Sequence, residues 1–224
     1  MKKMKQKLVA SAALLTAIAG FTTPSAYAEP VVAASVGVSN MYYWRGFDLG
    51  GGAAVVGDVN VSSNGFIAGI WTSSGDATLG TEYDLYAGYS GSAGDFTYGV
   101  SVVSYNYPTL GDAAIDPGDY VEVIPTVGFG PFKLTYYDAV AADHAPLGDE
   151  DYSYVTAELN FEKFGIKYGQ HMDDLDVVDG ISHIDVTYKY NSKLSFTVGK
   201  IIDDHNGDVD NKVNFVVSLS LPIE

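Results

Sequence analysis

The chain has 224 residues, with 28 acidic and 12 basic side chains, a formal net charge of −16 and no cysteine. That balance excludes a nucleic-acid binder, which needs a basic stripe. Without disulfides, stability has to come from backbone pairing and burial, even in an oxidising compartment.

The first element in chain order is an export signal. Lys2, Lys3, Lys5 and Lys7 precede an apolar run over residues 8–21, and Ala26-Tyr27-Ala28 supplies a small-x-small cleavage pattern. The run is about 14 residues, short of the roughly 20 that a membrane helix needs, so residues 1–28 are read as a signal peptide cut after Ala28. Residues 29–224 keep all 28 acidic side chains and lose four lysines, giving a net charge of −20. Their length suits a single domain. No later apolar run approaches a membrane helix.

Period-two alternation then predicts twelve strands, at residues 32–44, 53–62, 65–72, 82–90, 95–107, 120–129, 132–138, 152–161, 164–172, 182–190, 194–201 and 212–221. In residues 82–90, Tyr83, Leu85, Ala87 and Tyr89 share one face and Glu82, Asp84, Tyr86 and Gly88 the other. In 152–161 the split is Val155, Ala157, Leu159 and Phe161 against Tyr154, Thr156, Glu158 and Asn160; in 182–190 it is Ile184, Val186, Tyr188 and Tyr190 against His183, Asp185, Thr187 and Lys189. Glu158 and Lys167 are expected to face each other across their hairpin.

The connections alternate. Residues 63–64, 91–94, 130–131, 162–163 and 191–193 are tight turns; 45–52, 73–81, 108–119, 139–151, 173–181 and 202–211 are longer and mostly rich in aspartate. All short turns therefore leave one end of the sheet and all long loops the other. This is the pattern of an all-β, antiparallel transmembrane β-barrel, with short periplasmic turns, long acidic external loops and an even strand count. A soluble Greek-key domain mixes its ends. Aromatic residues mostly near predicted strand ends, Tyr43, Trp44, Tyr89, Phe96, Tyr107, Phe129, Phe132, Tyr152, Phe161, Phe164, Tyr190 and Phe215, read as interfacial girdles.

The segments V-G-V-S-N-M-Y-Y-W-R-G-F (36–47), S-S-N-G-F-I-A-G-I-W (62–71), E-Y-D-L-Y-A-G-Y (82–89), G-D-F-T-Y-G-V (94–100) and G-D-Y-V-E-V (118–123) resemble the TorF porin family, a bacterial outer-membrane family whose porin label is itself an inference about its class. The resemblance spans nearly all of residues 29–224 and implies an outer-membrane barrel in a Gram-negative bacterium. Two departures stand out: the C-terminal Leu221-Pro222-Ile223-Glu224 lacks the terminal aromatic common in similar barrels, and Gly50 to Gly52 replace a polar loop.

The candidate functional residues follow from parity. Arg45, the single arginine, is read as inward-facing at the loop end of the first strand, opposed by Asp58, Glu82 or Asp84, with Trp44 pointing to the outer interface. It serves either as a constriction charge or as a guanidinium clamp closing the mouth. The inward set adds Glu122, Glu158 and Asp185 to those carboxylates, against Lys133, Lys167, Lys189 and Lys212. That lumen is nearly neutral. The loops hold an acidic mouth that includes Asp143, Asp149, Glu150, Asp173, Asp174, Asp203, Asp204 and Asp208, which would concentrate cations at low salt.

The segment Asp204 to Asp210 fails the EF-hand pattern, because Val209 stands where glycine belongs and no glutamate closes it; a solvated acidic loop is the plainer reading. His144, His171, His183 and His205 are read as solvated, since no nucleophile elbow, His-Glu-x-x-His pair or phosphate loop accompanies them. The expected function is passive diffusion of small hydrophilic solutes with a mild cation preference, without a cofactor and without enzymatic activity. The expected partners are outer-membrane lipid and lipopolysaccharide. The rivals are a closed structural or adhesive barrel, whose acidic loops bind cations or a surface partner, and a periplasmic domain.

Overall fold

Asn64 and Gly65 both take positive φ, 51° and 86°. That is the signature of the two-residue turn whose twist matches a hairpin. The computed structural model describes residues 29–50, 52–77, 79–142, 152–172, 178–205 and 209–224, and this turn is one of five short connections at one end of a closed sheet. The strands are β1 (Val31–Ser39), β2 (Tyr43–Trp44), β3 (Phe47–Asp48), β4 (Ala54–Ser63), β5 (Phe66–Asp76), β6 (Gly80–Ala93), β7 (Phe96–Tyr107), β8 (Ile115–Phe129), β9 (Phe132–Ala142), β10 (Ser153–Asn160), β11 (Phe164–Met172), β12 (Ser182–Lys189), β13 (Leu194–Asp203) and β14 (Val213–Ile223). β1 and β4–β14 form a twelve-stranded antiparallel barrel, each strand paired with its chain neighbour and β1 closing on both β4 and β14. β2 and β3 are a separate hairpin inside it.

The alternation read from sequence is present in the wall. Val36, Val59, Val100, Leu134, Ile166 and Val186 are exposed on the outside, while Glu82, Asp84, Glu122, Glu158 and Asp185 are buried inside. Asp138 and Lys200 are the charged side chains at outward positions of β9 and β13 among the described residues, and both lie toward the loop end. The hydrophobic core is internal, with Tyr105, Tyr107, Tyr120, Tyr152, Tyr154, Ile115 and Ile181 in one cluster. An aromatic collar, including Phe66, Phe129, Phe132, Phe161, Phe164 and Tyr190, surrounds the turn end.

Several expectations need correction. The first strand does not run to residue 44. β1 stops at Ser39, and Asn40 turns the chain inward by bonding β14 twice, its Nδ2 donating to Phe215 O (2.9 Å) and its Oδ1 accepting from Val217 N (2.7 Å). Parity cannot be carried across that reversal, so Trp44 lies inside the barrel, as do Tyr43, Tyr107 and Tyr152 from the expected girdle. The connections at 73–81 and 108–119 are shorter than expected: β5 reaches Asp76 with β6 resuming at Gly80, and β8 begins at Ile115. Lys212 precedes β14 instead of opening it. The leader over residues 1–28 lies outside the described residues.

Candidate functional site: a hairpin across the lumen

Trp44-Arg45-Gly46-Phe47 forms the tip of the β2–β3 hairpin, with φ of 46° at Arg45 and 96° at Gly46. Both central residues of such a turn need positive φ, a conformation that Asn-Gly satisfies cheaply and arginine does not. The arginine is retained for what it touches. Its Nη1 and Nη2 donate to Glu122 Oε1 and Oε2 at 2.8 and 2.6 Å, a bidentate pair, and Nη1 also reaches Tyr152 Oη at 3.0 Å. The guanidinium carbon lies 4.4, 4.5 and 4.7 Å from the ring centroids of Trp44, Tyr137 and Tyr154. Planar bidentate pairing and aromatic faces are the surroundings in which a buried guanidinium is tolerated.

Tyr152 holds the same residue by its guanidinium and His171 by its backbone carbonyl. His171 Nε2 lies 2.8 Å from Arg45 O, and a carbonyl can only accept, so Nε2 carries the proton. Nδ1 is then free to accept from Tyr152 Oη at 3.0 Å, while that phenol oxygen accepts from Arg45. The hydrogen bonds close a circuit on Arg45. A second relay fixes Tyr43: Asp185 Oδ1 accepts from Tyr43 Oη (2.7 Å) and from His183 Nδ1 (3.0 Å), leaving His183 Nε2 to accept from Tyr154 Oη (2.6 Å). Tyr42 donates to Glu82 Oε2, and Tyr107 to Glu82 Oε1 at 2.8 Å. Glu122 takes two more phenols, Tyr105 at 2.8 Å and Tyr120 at 3.1 Å.

The strand order gives this its meaning. The hairpin hangs from the β1–β4 seam, and β10 is six strands away from β4 in either direction, the far wall of a twelve-stranded barrel. Arg45 therefore spans the lumen. β-Bulges at Tyr105/Tyr107, Val121/Glu122 and Ser182/His183 lie beside residues that contact the hairpin, consistent with bulges re-aiming side chains near barrel rims.

Below the hairpin, toward the turn end, the lining changes to small polar side chains: Asn60, Ser62, Thr97, Thr126, Thr187, Thr197 and Ser220 are exposed or half-buried. Lys133 Nζ is 3.0 Å from Glu158 Oε1, and Lys167 Nζ is 3.9 Å from Asp185 Oδ2. Glu158 does sit opposite Lys167 in register, as expected, but its ion pair is with Lys133. Asp58 accepts from Tyr86 (2.8 Å) and Asn60 (2.6 Å), so it is not the partner of Arg45; neither Glu82 nor Asp84 is, the pairing being with Glu122. Asp84 Oδ1 is buried without a hydrogen-bond partner. Lys189 is exposed at the turn end of β12.

Lys212, expected in the lumen, is exposed and pairs with Asp210 at 2.9 Å, and its ammonium holds that carboxyl below the usual range. Of the acidic mouth, Asp203 and Asp204 are described, at the end of β13; Asp143, Asp149, Glu150, Asp173, Asp174 and Asp208 lie outside the described residues. So does His144. No cluster of three or more metal-ligating side chains occurs among the described residues. His171 and His183, expected to be solvated, are fully buried in the lumen.

A bacterial family described as being of unknown function, Gcw_chp, matches residues 24–206. The chain belongs to that family. Within this Gcw_chp member the hairpin site uses residues 42–48 of the matched region, together with its partners on β6–β12. No curated protein matches the chain. Among solved structures, outer membrane phospholipase A from Escherichia coli is similar at 8% identity, over 87% of this chain and 97% of that one, with a TM-score of 0.41.

The second relay needs space, and Gly169 on β11 makes it. A Cβ at that position would overlap both Tyr154 Oη and His183 Nε2. Gly169→Ala is expected to separate that pair and to destabilise the barrel by about 1–3 kcal/mol, as overpacking does. Urea titration of the refolded protein, followed by the fluorescence of its two tryptophans, checks this. Trp44 sits on the hairpin and Trp71 against Tyr42, so the signal reports on the site itself.

Proposed function

We propose that this Gcw_chp protein is an outer-membrane channel for the passive diffusion of small hydrophilic solutes, with its turn end toward the periplasm. The observation that carries the reading is the two-faced wall. Its outward belt is apolar, with the exceptional charges near the loop end, and its turn-end lumen is lined by hydroxyls, glycines and paired charges. A lipid-facing surface requires the first property and a solvated passage the second. The resemblance to the TorF porin family points the same way, and the aromatic collar fits a membrane interface.

The acidic balance of residues 29–224 favours a mild cation preference at low salt. A closed structural barrel is the second reading, favoured by the buried Arg45 cage.

Recording from the purified protein in a planar lipid bilayer separates the two. Stepwise conductance, somewhat cation-selective at low ionic strength and less so at high, is the expected result. A silent membrane, with correct folding shown by heat-modifiable migration on a gel, favours the closed barrel. Anion selectivity at low salt removes the charge argument.

A further inference from the structure

The β2–β3 hairpin is joined to the barrel in two different ways. At its base it is pinned: Asn40 bonds β14 through both side-chain atoms, Ala77 N donates to Leu49 O at 3.2 Å, and Gly50 and Gly52, both with φ of 81°, supply a bend on the return path. At its tip it pairs with no wall strand and forms its own two-stranded sheet. Its hold on the far wall runs through the polar groups of Tyr43, Arg45 and their partners, together with the packing of Trp44 and Phe47 on His171.

We propose that residues 40–50 are a removable plug, an autoinhibitory element that shuts the lumen while Arg45 sits in its cage and opens it by withdrawing toward the loop end. This deepens the channel reading and rests on it. The seal is mixed, with hydrogen bonds through Tyr43 and Arg45 and ring contacts of Trp44 and Phe47 with His171. Withdrawal exchanges those bonds for bonds to water and hydrates Arg45 and Glu122 together, so neither charge is left buried alone. The pinned base limits the excursion to a swing about Asn40, Gly50 and Gly52. Behind the plug the lumen is already lined for solutes, from Ser62 and Thr97 to Thr187 and Thr197.

The chain has no native cysteine, which makes a clean test possible. A Cβ built at Gly46 lies 3.1 Å from His183 Cβ, so a disulfide, which spans about 3.5–4.5 Å, closes once the two backbones part by a few tenths of an ångström. The Gly46→Cys/His183→Cys variant and a plug-less variant, with residues 41–49 replaced by a short Gly-Ser linker, are refolded and recorded in planar bilayers. Heat-modifiable migration confirms that each has folded.

The plug-less variant is expected to conduct continuously. The double-cysteine variant lacks the His183 relay in both redox states, so its two forms are compared with each other: it should open when reduced, lose at least tenfold in open probability when oxidised, and recover with reductant. Equal currents from its oxidised and reduced forms, alongside a conducting plug-less variant, would overturn the plug and leave the channel standing. Silence of the reduced form beside a conducting plug-less variant would make the hairpin a permanent stopper and also overturn it. A folded but silent plug-less variant would remove the channel reading itself.

Discussion

Arg45→Ala should be the most damaging single substitution in the lumen. It leaves the Glu122 carboxylate, fully buried and already accepting from Tyr105 and Tyr120, without its cation. Breaking a buried pair by removing one partner typically costs about 3–5 kcal/mol. The cost has a ceiling here: once it exceeds the free energy of releasing the hairpin, the hairpin leaves and water reaches Glu122. Urea unfolding should therefore show a loss of up to about 3–5 kcal/mol. The tryptophan emission of the folded state should shift to the red, because Trp44 moves with the hairpin. Glu122→Gln should act in the same direction. Arg45→Met combined with Glu122→Leu should cost less than either single change, since it leaves no charge behind. If Arg45→Ala lowers stability by less than 1 kcal/mol with unchanged emission, the cage does not hold the hairpin.

The residues of that cage show where the sequence was legible. Glu122, Glu158 and Asp185 declared their side of the wall because each lies in a strand whose alternation is unbroken around it. The hairpin did not declare itself. Residues 32–44 contain no proline, and Tyr42, Tyr43 and Trp44 are all strand formers, so nothing local marked the reversal at Asn40. One signal was present: Trp-Arg-Gly-Phe is a two-residue turn with glycine in second place between aromatics, a hairpin pattern. The pairing of Arg45 with Glu122 is non-local, across 77 residues, and parity ranks inward carboxylates equally without saying which is nearest.

The histidines misled for a related reason. His171 stands beside aspartates in sequence, yet alternation along β11 turns it into the lumen. Bulges such as the one at Ser182/His183 change pairing by one residue and leave no compositional trace.

The orientation of the wall is open to a paired test on adjacent residues of β12. Val186 faces outward, between Val198 on β13 and Ile166 on β11. Thr187 faces the lumen, where its hydroxyl lies 2.8 Å from that of Thr197. Val186→Arg puts a charge against the apolar belt, and near a bilayer midplane such a change costs about 2–4 kcal/mol. Thr187→Arg puts the same charge at the same depth on the wet side; Lys167 and Lys189 already stand on that face of β11 and β12, so solvation persists and the expected cost stays below about 1 kcal/mol, as for a solvated position near an interface.

Refolding into lipid vesicles, with urea unfolding of each variant, measures the difference. The comparison holds strand, depth and side chain fixed and varies only the face. A soluble sheet with water on its Val186 side predicts near-equal effects, because a solvated arginine costs little on either face. A gap of 2 kcal/mol or more in favour of Thr187→Arg therefore requires lipid outside and water within. The reverse sign would mean that the lumen is packed at this level, and the passage proposed for solutes would have to close there as well.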